Sequence, residues 1–293
     1  MTRILAGIQA AQLGLLVNAV LVVTKLIAGI VGHSYALVAD AIESSTDIFS
    51  SLVVLQGLRV ASRPPDEMHR YGYGRAEPLA TGVVALMLLA AAVSVAILAI
   101  REILTPHHAP APFTLVVVAG VVVIKELLFR TVFRVGKELE STAVKADAWH
   151  HRSDAMTSAA AFIGISLALW GGPGWESADD WAALVAAVII ALNGGRFLTA
   201  AVHELMDRTP DEAVLDKIDQ AARSVDGVLA TEKLRVRKLG LDYSIDLHVQ
   251  ADPALSLHDA HILGGRVKSA IREALPSARD VLIHMEPYEP LQD

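Results

Sequence analysis

The chain has 293 residues, of which 53% are hydrophobic and 19% are charged, whereas soluble domains average about 45–50% and about 25%. Its formal net charge of −7 argues against nucleic acid as a partner and is compatible with attracting cations. Because there are no cysteines, disulfides and thiolate metal sites are excluded, and any metal must be held by His, Asp and Glu, which suit Zn²⁺, Mn²⁺, Fe²⁺ or Co²⁺.

Long apolar segments fill the chain as far as about Glu204. Each exceeds the ~20 residues that a helix needs to cross the hydrocarbon core. The six segments are Ile8–Val31, Tyr35–Val60, Pro78–Ile100, Pro112–Val135, Thr142–Trp170 and Ala178–Val202. We therefore predict an α-helical membrane protein whose residues 1–208 form a transport domain of six transmembrane helices. The first segment follows the N-terminus without a small-residue cleavage site, so it is predicted as a membrane span and not as a signal peptide.

Positive charges are concentrated in two of the five predicted loops. The second loop and the fourth loop carry Arg59, Arg63, Arg70, Arg75, Arg130, Arg134, Lys137 and Lys145. The first and fifth loops have no Lys or Arg, and the third has only Arg101 at its edge. Because positive loops stay on the cytoplasmic side, we expect a multi-pass protein of the inner (cytoplasmic) membrane with both termini in the cytoplasm.

The pattern changes after Pro210, where the apolar segments end. Helical spacing alternates with short period-2 strands, in the order Asp211–Ser224, Leu234–Val236, Tyr243–Val249, Leu257–Leu275 and Asp280–Met285. This αββαβ order predicts a small ferredoxin- or metallochaperone-like α+β domain over residues 209–293. It contains no segment of spanning length and is acidic, with 15 acids and 10 bases from residue 210 onward, so we expect it in the cytoplasm.

Charged side chains interrupt two of the predicted spans at helical spacing. Glu43 and Asp47 are four residues apart in the second span, and His150 and Asp154 are four apart in the fifth. One ionised carboxylate at bilayer depth costs roughly 2.5–3.5 kcal/mol, so a cluster needs a partner. Residues four apart share one face of a helix, and two such pairs can close a four-ligand cage around a divalent cation. When the cation leaves, the same groups can bind protons. The alternative is that neighbouring hydroxyls or water satisfy each group.

Asp40 and Asp147 precede the two pairs with the same spacing, each three and seven residues before the paired residues. We expect these two aspartates to line a cavity or to hydrogen-bond a neighbouring polar group, with direct ligation as the alternative. His151 follows His150 and points about 100° away on a helix, so it is expected to be a bystander.

Two weaker constellations lie outside the spans. In the loop RPPDEMHRYGYGRAEP, Asp66 and His69 are three residues apart and indicate a weak metal site; a solvated loop is the alternative. In the tail domain, His284 and Glu286 share one face of the last strand, and His248 faces outward from the preceding strand. These three residues predict a cytoplasmic metal site. His261 lies on the second tail helix, and Glu232 is predicted to precede the first strand.

With these residues in hand, the chain resembles the cation diffusion facilitator family of proton-coupled divalent-metal exporters. The resemblance covers nearly the whole length and rests on the signatures ADAIESSTD and ADAWHHRSD, the loop GYGRAE, the LMDR exit of the sixth span and the αββαβ tail. It implies a homodimer in the lipid bilayer that exports Zn²⁺, and also Fe²⁺, Mn²⁺, Co²⁺ or Cd²⁺, in exchange for protons. It implies a secondary transporter and not an enzyme.

The resemblance also assigns residues. The transport ligands would be Glu43, Asp47, His150 and Asp154, with Glu43 where the family usually has His or Asp. The cytoplasmic binuclear site would map onto Glu232, His248, His261, His284 and Glu286. The family's loop site uses an Asp and two His, and the second His position is Tyr73 here. A salt-bridge interlock between protomers near the membrane surface would correspond to Arg75 and Asp207.

Two other functions stay open from the residues alone. A membrane-bound metal sensor would bind the cation without moving it. An intramembrane metalloenzyme would need an open coordination position and a base that activates water. Four protein ligands close the cage, and no HExxH-like motif is present, so the pattern favours transport.

Overall fold

A computed structural model describes residues 2–31, 35–104, 114–171 and 178–289 of the chain. Side chains are described for part of these residues, and those of residues 28–47 are outside the description. The chain divides into two units, Met1–Val202 and His203–Asp293. Each unit is described by itself.

Long helices make up the described part of the first unit. They are α1 Thr2–Val31, α2 Tyr35–Ala61, α3 Ala76–Leu104, α4 Thr114–Leu139, α5 Thr142–Gly171 and α6 Ala178–Leu205. Each has 26 to 30 residues, which at 1.5 Å per residue gives roughly 40 Å or more, longer than a ~30 Å hydrocarbon core. Among the described residues, Leu5–Thr24 and Ala76–Arg101 are long and apolar enough to be candidate spans. Six crossings remain a prediction.

Helix α5 lies inside the bundle, in contact with α1, α2, α3 and α4. Its first turns bury small residues completely, among them Ala143, Ala146 and Ala148. Small side chains let helix backbones approach one another closely. Gly57 does the same between α2 and α3, since a Cβ at that position would lie 2.5 Å from the Cβ of Ala80. The bundle is therefore packed tightly around α5.

Two glycines of α1 define the relative directions of three helices. A Cβ added at Gly7 or at Gly14, two turns later, would meet both α2 and α5 among its neighbours. The residues met are Leu58 and then Ser51 on α2, and Val144 and then His151 on α5. Numbering falls along α2 and rises along α5, so α1 is antiparallel to α2 and parallel to α5. Hence α2 and α5 are antiparallel to each other.

The second unit has the predicted αββαβ order. Its elements are α7 Glu212–Arg223, β1 Ala230–Leu239, β2 Asp242–Ala251, α8 Leu257–Ala274 and β3 Ala278–Pro287. The sheet order is β1-β2-β3, with β1 antiparallel and β3 parallel to β2. All three strands are longer than the sequence pattern indicates, because ladder pairing extends into polar residues. Glu232 therefore lies within β1, and the prediction that it precedes the first strand is wrong.

The two faces of the sheet differ in composition. Ile245, Leu247 and Val249 of β2 are buried in a core shared with Ile218 of α7 and Val267 of α8. Alternate residues of a strand point to opposite faces, so Asp246, His248 and Gln250 of β2, which are half-buried, face away from the helices. One face forms the core, and the other is left for polar side chains.

The core of the second unit gives a stability prediction. Leu247 is 1% exposed and Leu282 is 62% exposed. In a fragment of residues 209–293, Leu247→Ala should lower the free energy of unfolding by about 2–5 kcal/mol, because it removes buried methyl groups and leaves a cavity. Leu282→Ala should change it by less than about 0.5 kcal/mol. Urea denaturation followed by circular dichroism measures both changes. Equal losses in the two variants would contradict the assignment of this core.

Candidate metal centres

Hydrogen bonds join α2 to α5 in the interior of the first unit. The hydroxyl of Ser50 donates to Asp147 Oδ1 at 2.9 Å, and that of Ser51 donates to the same oxygen at 3.2 Å. Both serines and Asp147 are completely buried. Asp147 thus accepts hydrogen bonds from a neighbouring helix. Because the contact is between side chains on packed helices, it also sets which residues of α2 and α5 lie at the same level.

From this contact we expect the predicted ligands of α2 and α5 to lie at common levels. The two helices are antiparallel and rise equally per residue. Counting three or seven residues back from Ser50 on α2 therefore corresponds to counting three or seven residues forward from Asp147 on α5. The backbone of Asp47 is then level with His150, and that of Glu43 is level with Asp154. The side chains of Asp40, Glu43 and Asp47 lie outside the described residues.

A buried lysine contacts one of the predicted ligands. Lys125 of α4 is 1% exposed, and its Nζ donates to Asp154 Oδ2 at 2.8 Å and to Asn18 Oδ1 of α1 at 2.9 Å. His150, one turn earlier on α5, is 5% exposed. The sequence analysis missed Lys125 and Asn18. The available signal was a lysine inside the apolar run VVVIKELLF, which needs a counter-charge at that depth.

His151 lies in the interior of the bundle. It is completely buried, and its Nε2 lies 3.7 Å from Asp147 Oδ2. The room for its ring is provided by Gly14 of α1, where a Cβ would lie 3.0 Å from Nε2. Because other helices surround α5, a residue that points away from one face of it meets another helix. His151 therefore contacts Asp147, which is not among the four predicted ligands, and its interpretation as a bystander stays a prediction.

In the second unit, three predicted ligands come together on the open face of the sheet. His248 and His284 are Cα partners on the neighbouring strands β2 and β3. One ligand atom each from His248, His284 and Glu286 lie within 4.8 Å of one another. A tetrahedral Zn²⁺ site needs donor atoms about 3.3 Å apart, so small side-chain movements suffice. This donor set fits a divalent transition metal.

Hydrogen bonding orients this cluster. Nδ1 of His248 lies 2.6 Å from Glu286 Oε1, and this contact is the main reason that the pKa of Glu286 is lowered. A carboxylate can only accept, so Nδ1–H donates and Nε2 is left to bind a metal. His284 Nε2 lies 3.7 Å from the same carboxylate oxygen.

Glu232 lies beside the cluster on the neighbouring strand, whereas His261 lies outside it. Glu232 is the Cα partner of His248 and lies at a β-bulge, where Lys233 has a φ of 51°. The Lys233 ammonium is 2.7 Å from Glu232 Oε1 and 3.5 Å from Glu286 Oε1, and its pKa is raised, chiefly by Glu232. His261 is exposed on α8 and is outside the cluster. Helix α8 packs on the opposite face of the sheet.

In the loop between α2 and α3, the Asp66 carboxylate is hydrogen-bonded by other residues of the same loop. Asp66 accepts hydrogen bonds from the Tyr73 hydroxyl at 2.5 Å and from the backbone amides of His69 at 2.7 Å and Met68 at 3.0 Å. The tyrosine is the largest cause of the lowered pKa of Asp66. The imidazole Nδ1 of His69 lies 3.4 Å from Asp66 Oδ1. The carboxylate is thus held by this loop, with Tyr73 at the position where the family has a second histidine.

The predicted interlock residues belong to different units. Asp207 follows α6 with a φ of 57°, and its Oδ2 lies 3.9 Å from Arg237 Nη1 of β1 within the second unit. Arg75 is exposed in the loop before α3. A pairing of Arg75 with Asp207 between protomers stays a prediction.

Comparison with known proteins finds two family descriptions that together match almost the whole chain. The description of the cation efflux transmembrane domain matches residues 11–206. The description of the cation efflux protein cytoplasmic domain matches residues 210–288.

Full-length relatives are similar over most of their own length. The manganese efflux system protein MneP of Bacillus subtilis is 29% identical over 96% of this chain and 96% of its own. The magnetosome protein MamB of Paramagnetospirillum magneticum is 31% identical over 90% of this chain and 88% of its own. The cation-efflux pump FieF of Serratia proteamaculans is 32% identical over 95% of this chain and 92% of its own.

The open-face cluster gives a binding prediction. His284→Ala removes one of three donor groups, so Zn²⁺ binding to the 209–293 fragment should weaken by roughly 10- to 100-fold. His258→Ala removes an exposed histidine of α8 and should leave the affinity within about twofold. Isothermal titration calorimetry measures both. Equal weakening by the two variants, or none by His284→Ala, would contradict the cluster as a metal site.

Proposed function

We propose that this chain, which belongs to the cation diffusion facilitator (cation efflux) family, exports a divalent transition-metal cation from the cytoplasm in exchange for protons. Family membership already makes it a metal-cation transporter of the membrane and not an enzyme. The proposal adds the site, the coupled ion and the direction. Its main support is the hydrogen bond between Ser50 and Asp147 on the antiparallel helices α2 and α5, from which we expect the two ligand pairs at common levels.

The ligand set of the proposed transport site is Glu43, Asp47, His150 and Asp154. Three carboxylates and one imidazole can surround a divalent cation tetrahedrally. Zn²⁺ is the expected substrate by the Irving–Williams order, and the oxygen ligand of Glu43 widens the range toward Fe²⁺, Mn²⁺ and Co²⁺. The relative named for manganese efflux is compatible with this range.

Exchange with protons follows from the charge of the same site. Three carboxylates gathered without a cation would repel one another, and each would be costly to desolvate. Protons can replace the cation because Asp, Glu and His all accept them. A site that binds either the metal or protons, but not both, couples the two fluxes when it opens alternately to the two sides of the membrane.

The second unit would regulate this exchange as a metal-dependent dimer contact. His248, His284 and Glu286 form its described ligand cluster, with Glu232 beside them. Its family description is that of the cation efflux cytoplasmic domain, and we propose that it pairs with a second copy in a homodimer. If metal binding there raises the affinity of the transport site, a metal in the transport site must raise the affinity there by the same factor.

Transport is tested in proteoliposomes that contain a metal-sensitive dye and a pH-sensitive dye. The wild-type chain should show Zn²⁺ movement with protons moving in the opposite direction. Asp154→Asn keeps the side-chain volume and an acceptor for Lys125 but removes the carboxylate charge, so both signals should fall by roughly 100-fold. Asp47→Ala should lose both signals too.

The matched control is Asp280→Asn, which changes an exposed aspartate of β3 and should leave both signals unchanged. Full flux in Asp154→Asn or Asp47→Ala would overturn the site assignment. Metal movement without proton movement in the wild-type chain would indicate a uniporter. Metal binding with neither signal would indicate a sensor.

A further inference from the structure

A complete ion pair already occupies part of the proposed transport site. Lys125 is 1% exposed, its ammonium lies 2.8 Å from Asp154 Oδ2, and Asn18 Oδ1 accepts from the same ammonium at 2.9 Å. The three residues come from α4, α5 and α1. The Asp154 side chain is 24% exposed, so the pair lies between the bundle interior and a more open region.

The position of the ammonium conflicts with a metal on the same carboxylate. A transition metal bound by a carboxylate oxygen lies about 2.0–2.2 Å from that oxygen. An ammonium hydrogen-bonded to the same group would then lie within a few ångströms of a dication, and like charges at that separation repel strongly where water is scarce. The metal and Lys125 therefore compete for Asp154.

We propose that Lys125 is a tethered cation that holds Asp154 when the transport site is empty and that the transported metal must displace. This inference rests on the proposed function, because it assumes that Asp154 is a ligand. The displaced ammonium needs another acceptor in a buried environment, and Asn18 Oδ1 is already within hydrogen-bond distance. In this exchange the Lys125 side chain moves only between these two acceptors.

Two consequences follow for transport. A monovalent ion gains little by replacing an ammonium on a carboxylate, whereas a dication with an imidazole and three carboxylates gains much more, so Lys125 favours divalent over monovalent cations. When the metal is to be released, the returning ammonium replaces it on Asp154 and lowers the cost of an empty buried carboxylate. Lys125 thus lowers the binding affinity for the metal and speeds its release.

The test measures Zn²⁺ binding to the full chain in detergent. Binding at the transport site is taken as the difference between the wild type and Asp154→Asn. Lys125→Met keeps an unbranched side chain of similar length without the charge. It should tighten this binding by on the order of tenfold. In proteoliposomes it should lower both the KM for Zn²⁺ and the maximal rate. Lys125→Arg keeps a charge, so its affinity should stay closer to that of the wild type than the affinity of Lys125→Met does.

Asn18→Leu should act in the opposite direction. It removes the second acceptor at nearly constant volume, so the ammonium stays on Asp154 and Zn²⁺ binding weakens. A merely structural pair would weaken binding in both variants. If Lys125→Met does not fold, Lys125→Gln, which also lacks the charge, takes its place with the same expected tightening. In either case, unchanged or tighter binding in Asn18→Leu overturns the proposal. If Asp154→Asn removes no binding, the transport site and this inference both fail. If it does but Lys125→Met fails to tighten binding, this inference fails alone.

Discussion

The hydrogen bond between Ser50 and Asp147 is the contact on which the proposed site depends. It joins α2 to α5 in the buried interior, and because these helices are antiparallel it relates every level of one to a level of the other. A shift of one helical turn would separate the two ligand pairs by about 5.4 Å. A buried aspartate with two hydroxyl donors would therefore set the geometry of the proposed cation site without having to be a ligand in it.

A lysine lies against a carboxylate in each of the two candidate metal centres. Lys125 contacts Asp154 in the first unit, and Lys233, at a β-bulge, contacts Glu232 and Glu286 in the second. The surroundings differ, since Lys125 is 1% exposed and the Lys233 side chain is 53% exposed. A surface ion pair is worth little, whereas a buried one is costly to break. Competition with a metal should therefore matter mainly at the buried site.

Much of the fold could be predicted from local pattern, and the missing parts are tertiary. Apolar length predicts the long helices, and period-2 alternation predicts β2, but the ladder that extends β1 back to Ala230 depends on a partner strand. The spacing of four residues identifies His150 and Asp154 as candidate ligands. It cannot identify Lys125 as the partner of Asp154, because that contact depends on how α4 packs on α5. The burial of His151 could not be predicted from a helical wheel of α5 alone, because α5 has neighbours on several sides.

The central claim is that the two ligand pairs lie at common levels around one cation, and cross-linking tests it most directly. The chain has no cysteines, so a disulfide in a double variant can form only between the two introduced cysteines of the protomers. Within one chain, a disulfide requires Cα atoms within about 7 Å. Asp47→Cys with His150→Cys, and Glu43→Cys with Asp154→Cys, should each form a disulfide under mild oxidation. Glu43→Cys with Asp147→Cys, offset by about 10 Å along the helix axis, should not. Cross-linking of the offset pair, with none in the level pairs, would contradict the account.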